Sequence, residues 1–197
     1  MAEQFSILAV CTGNICRSPA MERLLAHMFA ADEDVEVASG GTFAHSGWDM
    51  QPGTRERLRA AGAETDGFVA EQTTPRMLRE ADLILGATRE HVRDMLTDAP
   101  EAGPRTFTVR HFGRILAHIE EGELPEGSSA ERLKALVALA DQRRDRTGSL
   151  RGEDDVVDPY MLPEDVYDQA FDEICEPLEA LAAKLGTPSP PGAGFRA

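Results

Sequence analysis

Phe5-Ser6-Ile7-Leu8-Ala9-Val10 runs without interruption into Cys11-Thr12-Gly13-Asn14-Ile15-Cys16-Arg17-Ser18-Pro19. The first six residues are a short apolar run of the kind buried in a parallel sheet. Ser18 before Pro19 predicts a helix start, with Ser18 as the cap and Pro19 as the first helical residue. Met21, Leu24, Leu25, Met28 and Phe29 then recur at helical spacing. The opening reads as strand, loop, helix.

The alternation continues outward from there. Val35 to Ala38 reads as a second strand ended by Ser39-Gly40-Gly41, and Pro52 to Ala61 as a helix. Ala81 to Gly86 gives a third strand, after which Thr88 caps a helix through Met95 and Leu96, and Thr106 to Val109 gives a fourth strand. This order predicts an α/β chain, a three-layer α/β/α sandwich with a central four-stranded parallel sheet. Ligands of such sheets bind beyond the carboxyl ends of the strands, where the first strand delivers Cys11.

Farther along, Ala130 to Gln142 is an amphipathic helix with Leu133, Leu136, Val137 and Ala140 on one side. Asp141 to Asp158 is polar and charged, the pattern of a long mobile loop or lid. Pro163 to Leu185 returns to helix, with Val166, Ala170, Ile174, Leu178 and Leu181 spaced to pack on the sheet. Residues 1–186 are expected to form a single domain, and residues 187–197, rich in Pro and Gly, a disordered tail.

Composition narrows the function classes. At 197 residues, 42% hydrophobic and 28% charged, the chain is an ordinary folded protein rather than a disordered, collagen-like or coiled-coil one. Acidic residues outnumber basic ones by 35 to 20, and Lys134 and Lys184 are the sole lysines. A net charge of −15 repels polyanions, so neither nucleic acid nor an anionic membrane is expected as a partner. One concentrated positive pocket can still hold a small anion. Three cysteines suit a reducing cytoplasm, and neither an export signal nor a membrane span is expected.

A loop that enters a helix N-terminus points successive backbone N–H groups into one concavity, and the helix dipole adds positive character there. Residues 12–18 are placed to make such a nest for a tetrahedral anion. The same field favours the thiolate of a cysteine at its base, here Cys11. Arg17 can grip two oxygens of the anion at once. A thiolate below and an arginine on the rim make a device for attacking phosphorus. Two bland readings compete: Cys11 as an inert core cysteine, and zinc held by Cys11, Cys16 and a histidine. The cysteine spacing matches no familiar zinc pattern, so no metal is expected. Displacing an alcohol or phenol also needs a proton donor. Glu153, Asp154, Asp155 and Asp158 all offer one, and Asp158 stands out because Pro159 stiffens the chain after it and Tyr160 adds an aromatic wall.

The segment Val10 to Pro19, with Asp158-Pro159-Tyr160 far downstream, closely resembles the low-molecular-weight protein tyrosine phosphatase family. Ser39-Gly40-Gly41-Thr42, Ala81-Asp82-Leu83-Ile84-Leu85 and His91 add to the likeness, which covers roughly residues 5–96 and 156–184. The resemblance implies a phosphatase that hydrolyses phosphotyrosine through a cysteinyl-phosphate, without a cofactor. Cys11 would be the nucleophile, Arg17 the phosphate and transition-state ligand, and Asp158 the general acid and then base. Thr12, Gly13, Asn14, Ile15, Cys16, Arg17 and Ser18 would bind the phosphate, and Asn14, Ser18 and Ser39 would support the loop. His45, Trp48 and Tyr160 would form the substrate rim. The implied partner is a phosphotyrosine-containing protein or small aryl phosphate, with inorganic phosphate as product. Cys16 takes the position of a second loop cysteine that could trap oxidised Cys11 as a disulfide.

Some positions depart from the family. Its His-x-Ala-Arg-Gln is here Phe68-Val69-Ala70-Glu71-Gln72, which removes a histidine that buttresses the loop serine, and a usual Met-Asp is Ala87-Thr88. The stretch from about 117 to 153 looks like an added helix and loop. Its Arg143, Arg144, Arg146 and Arg151 could attract an acidic phosphopeptide or merely solvate a loop. An arsenate reductase using an external small thiol and a non-catalytic phosphate- or phosphopeptide-binding module are the competing function classes.

Overall fold

Residues 4–148 and 150–189 are described by a computed structural model of the chain. In chain order the elements are β1 (Phe5–Cys11), α1 (Arg17–Met28), β2 (Val35–Gly41), α2 (Pro52–Ala60), α3 (Pro75–Glu80), β3 (Leu83–Gly86), α4 (Arg89–Asp98), β4 (Thr106–Thr108), α5 (Val109–Leu116), α6 (Ser129–Arg143) and α7 (Glu164–Leu185). All four strands are parallel, in the order β2-β1-β3-β4. The apolar run that opens the chain is therefore an inner strand, with Cys11 opposite Gly41 on one side and Val10 opposite Gly86 on the other.

Because side chains alternate along a strand, β1 and β3 feed two separate cores. Ile7, Ala9 and Cys11 of β1, with Leu83 and Leu85 of β3, face the larger core beneath α1, α5, α6 and α7. Leu8, Val10 and Ile84 face the smaller one, closed by Leu78 of α3 and by Val92 and Met95 of α4. This is the three-layer α/β/α sandwich expected from the sequence. The alternation also sends the Cys11 side chain to the α1 face, beside the helix that carries Arg17.

Several boundaries differ from the sequence reading, each for a local reason. Helix α1 begins at Arg17 with Cys16 as its N-cap, and no side chain caps it; Ser18 is already helical, and its hydroxyl is spent elsewhere. β2 runs on through Gly40 and Gly41, because its pairing with β1 continues to Cys11. β3 starts two residues later than expected, Asp82 being engaged instead by the backbone and side chain of Ser6. β4 stops at Thr108, whose hydroxyl accepts from His111 N–H and so starts α5 at Val109. The buried stripe of α7 uses Tyr167 rather than Val166.

The stretch expected to be a mobile lid is tied down. Two short 3-10 turns, at Arg144–Thr147 and Gly152–Asp154, interrupt it. Asp154 is fully buried and receives Arg114 through Nε and Nη2, both at 2.9 Å. Of the four arginines singled out there, two reach into the molecule and a third pairs on the surface. Arg143 reaches Glu123 and the His118 carbonyl, Arg144 spans the Thr106 and Gly103 carbonyls and lies 4.1 Å from the Phe107 ring centroid, and Arg151 pairs with Glu153. Of the expected tail, residues 190–197 lie outside the described residues.

Helix α6 begins with a reciprocal cap between Ser128 and Glu131, and its Leu133, Leu136, Val137 and Ala140 enter the same core as the sheet. Its Arg132 holds the carbonyls of Lys184 and Leu185 at the end of α7. A helix wired in this way is expected to melt with the sheet. Leu133→Ala should cost about 2–5 kcal/mol, read by urea unfolding as one transition shifted to lower denaturant. Two separate transitions would show α6 to be an independent unit.

Candidate active site

The loop from Thr12 to Cys16 leaves β1 and enters α1, and its carbonyls are disposed of first. Thr42 N–H donates to the Cys11 carbonyl, Phe43 to Thr12, His45 to Gly13 and Gln51 to Ile15, at 2.8–2.9 Å. A trans peptide sets the next N–H antiparallel to each carbonyl. The N–H groups of Thr12, Gly13, Asn14 and Cys16 therefore face the opposite way, into the hollow of the loop. Close approach of residues 42–51 requires glycine at the end of β2, since a Cβ on Gly41 would stand 2.4 Å from the Thr12 carbonyl oxygen. Within the loop, a Cβ on Gly13 would meet the His45 ring at 2.8 Å.

Asn14 takes the left-handed conformation, φ 53°, which few residues other than Gly, Asn and Asp adopt readily. Its amide binds the loop to its surroundings. Oδ1 accepts from Glu71 N–H at 2.8 Å, and Nδ2 donates to Ser18 Oγ at 2.9 Å and Ser39 Oγ at 2.8 Å. Ser18 Oγ lies 3.0 Å from Cys11 Sγ. The three residues expected to support the loop thus form one buried hydrogen-bonded cluster against the thiol.

Arg17 is 5% exposed and uses its guanidinium on the acid loop. Nη1 donates to the Val156 carbonyl at 3.3 Å and Nη2 to Asp158 Oδ2 at 2.8 Å. Its Nε is buried without a hydrogen-bond partner among the described residues. Of the four acids considered from sequence, Asp158 is the one that lines the cleft with Cys11 and Arg17. Its neighbours hold the loop: Asp155 takes Arg89 through both oxygens, Val156 N–H donates to the Ala87 carbonyl, and Val157 N–H donates to Glu173. Asp154 is occupied by Arg114, and Glu153 by Arg151.

The cleft encloses about 130 Å³ and is lined by residues 11–13 and 15–17, by Phe43, His45, Asp158 and Tyr160. The His45 ring lies 5.8 Å from that of Tyr160 and 4.8 Å from that of Trp48. Trp48 therefore stands behind His45 rather than in the wall, and Phe43, 82% exposed, takes the rim place that sequence did not assign to it. Cys16 also lines the cleft, but its thiol is pushed up to about 12 by burial and by the neighbouring Cys11, against hydrogen bonds to Tyr167 and Thr54. All three cysteines are free thiols. Among the described residues, no group of three or more His, Cys, Asp or Glu is placed to hold a metal ion, and no helix is long and apolar enough to cross a membrane.

His91 buttresses the loop from the other layer. Thr88 N–H donates to its Nδ1 at 3.1 Å, so the ring proton sits on Nε2 and is donated to Thr12 Oγ1 at 2.9 Å. The Thr88-x-x-His91 spacing of a reciprocal cap, visible in the sequence, carries this contact.

These features define a parallel α/β sandwich whose strand-to-helix loop is built to receive an anion over a cysteine. Comparison with known proteins narrows the class. The model of the family described as low molecular weight phosphotyrosine protein phosphatase matches residues 6–146, and the chain belongs to that family. It is 35% identical over 121 residues to the Escherichia coli K12 low molecular weight protein-tyrosine-phosphatase Etp, covering 61% of this chain and 76% of the relative. It is 32% identical over 120 residues to Wzb of Salmonella typhi, covering 61% and 74%. Among solved structures, a low molecular weight protein tyrosine phosphatase from T. tengcongensis superposes with TM-score 0.66 at 27% identity, covering 92% of this chain and 99% of the other. The YwlE arginine phosphatase from Geobacillus stearothermophilus gives 0.66 at 27%, covering 92% and 93%.

Burial, and then the charge of Arg17, push His91 down from 6.5 to about 4. The unfolded chain therefore takes up this proton first as pH falls. His91 contributes stability that is complete above pH 6.5 and lost as pH falls toward 4. Urea unfolding across that range should lose up to about 1.4 kcal/mol per pH unit through this one proton. His91→Gln should flatten that part of the slope; an unchanged slope would remove His91 from the account. His111, also lowered by burial, acts in the same direction and remains in the variant.

Proposed function

We propose that the protein is a metal-independent phosphatase of phosphotyrosine, acting on phosphotyrosine-containing protein or small aryl phosphates and releasing inorganic phosphate. The observation that carries this reading is the meeting of Cys11, Arg17 and Asp158 in one small cleft, with Asp158 2.8 Å from a guanidinium whose Nε is still unpartnered. A phosphate monoester in the hollow would receive the N–H groups of residues 12–14 and 16 together with Arg17 Nε. Its ring would lie between His45 and Tyr160, with Phe43 at the rim.

In the first step the Cys11 thiolate attacks phosphorus in line with the phenolic oxygen. The S–P bond forms as the P–O bond breaks, and Asp158 gives its proton to the departing oxygen. In the second step Asp158 takes a proton from water, whose oxygen attacks phosphorus as the S–P bond breaks. Inorganic phosphate leaves and the thiolate is restored. Charge building on the equatorial oxygens is met by fixed dipoles and by Arg17 throughout. Three free cysteines and a net charge of −15 suit a cytoplasmic protein that meets neither nucleic acid nor anionic membrane.

The test is hydrolysis of phosphotyrosine and p-nitrophenyl phosphate by freshly reduced protein in a chelator, between pH 5 and 8. Cys11→Ser should abolish turnover. Asp158→Ala should lower kcat by about 10²–10⁴ for phosphotyrosine, whose leaving group needs the proton, and by less for the nitrophenyl ester. Equal losses on the two substrates would remove Asp158 as the acid. Phosphoarginine turned over faster than phosphotyrosine, or arsenate reduced with an added thiol in place of ester hydrolysis, would overturn the substrate assignment.

A further inference from the structure

The support behind the cysteine loop ends on a carboxylate. Glu71 N–H fixes Asn14 Oδ1 as an acceptor, so Asn14 Nδ2 must donate to both Ser18 and Ser39. Each serine oxygen is then an acceptor with one proton left to give. Ser39 gives its proton to Glu22 Oε2, on the second turn of α1. Ser18 has two acceptors in reach, the Gly40 carbonyl at 3.2 Å and Cys11 Sγ at 3.0 Å. A charged sulfur is the stronger acceptor of the two.

Glu22 stands where no histidine is left to serve. Phe68, in the position of the buttressing histidine, is buried with the Arg23 guanidinium 5.7 Å from its ring centroid. The charged groups facing Glu22 are Arg23 on its own helix, at 3.3 Å, and Glu71 from the segment before α3.

We propose that Glu22 is a positioning residue for the reacting thiol: by taking the Ser39 proton it keeps Ser39 and Ser18 as acceptors of Asn14, which leaves the Ser18 proton for Cys11 Sγ. The proposal rests on the phosphatase reading for its purpose and on the hydrogen-bond directions for its content. A protonated Glu22 would donate to Ser39, and the Ser39 proton would then compete for the side on which Asn14 Nδ2 approaches. Burial raises the Glu22 carboxyl above its ordinary range, with Ser39 and Arg23 opposing, so this loss belongs to the acid side of the profile.

Alkylation of Cys11 by iodoacetate, followed by site-resolved mass spectrometry between pH 5 and 8, reads the state of the sulfur without any turnover. Glu22→Ala should slow Cys11 alkylation about tenfold at pH 6, the effect of one hydrogen bond to a charged acceptor. Ser39→Ala should do the same, and the double variant should be no slower than Ser39→Ala alone. Glu22→Gln, which keeps an acceptor oxygen, should recover most of the rate lost in Glu22→Ala and lose the acid-side fall; it also serves if the alanine variant does not fold. Independent, multiplicative losses in the double variant, or a Glu22→Gln profile that keeps the wild-type acid limb, would overturn the proposal. Failure to hydrolyse aryl phosphates with these alkylation results intact would reject the phosphatase reading alone.

Discussion

A loop that must offer its N–H groups to an anion has first to dispose of its carbonyls. Here residues 42–51 do so, taking the carbonyls of Cys11, Thr12, Gly13 and Ile15 one after another. The rest of the site follows from that commitment. It requires the close backbone approach at Gly41, it forces Asn14 into a left-handed turn, and the Asn14 amide then organises the serines behind the thiol. None of these contacts is strong by itself, since a hydrogen bond contributes about 0.5–1.5 kcal/mol net. Their effect is geometric: together they hold the loop carbonyls and the Asn14 amide in place around the hollow.

Much of this was legible in the sequence, because the decisive features are local. The apolar run, the loop and the first helix lie within 25 residues of one another, and the period-2 and helical patterns name their own elements. Ser18 reads as a cap in the sequence because Ser before Pro is the ordinary cap signal, yet the helix starts at Arg17 with Cys16 as its N-cap. In the folded chain Asn14, the Gly40 carbonyl and Cys11 take that hydroxyl instead. Glu22 was missed for a related reason: one acid on an amphipathic helix carries no signal until the strand bearing Ser39 is set beside it. Polarity alone suggests a lid between Asp141 and Asp158, but that polarity has partners. Asp154 and Asp155 are polar because they receive arginines from α5 and α4, partners that lie 40 and 66 residues away in the chain.

That pattern extends to the charge as a whole. Net charge of −15 describes the molecule from a distance, while at contact range its arginines act as cross-links. Arg57 joins α2 to Glu164 and Asp168 of α7, Arg132 joins α6 to the end of α7, and Arg105 holds the carbonyls of Leu78, Arg79 and Ala81. A planar fork with five donors suits several carbonyls at fixed spacing better than an ammonium does, which gives a physical reason for a chain with two lysines.

Arg17 and Asp158 meet across 141 positions of sequence. The loop above Cys11 is built between β1 and α1, whereas Asp158 is held at the cleft by a separate segment, through Asp155 on Arg89, Val156 on Ala87 and Val157 on Glu173. The cleft thus closes only where two segments far apart in the described chain are brought together, so a change that loosens either segment reaches the same cavity.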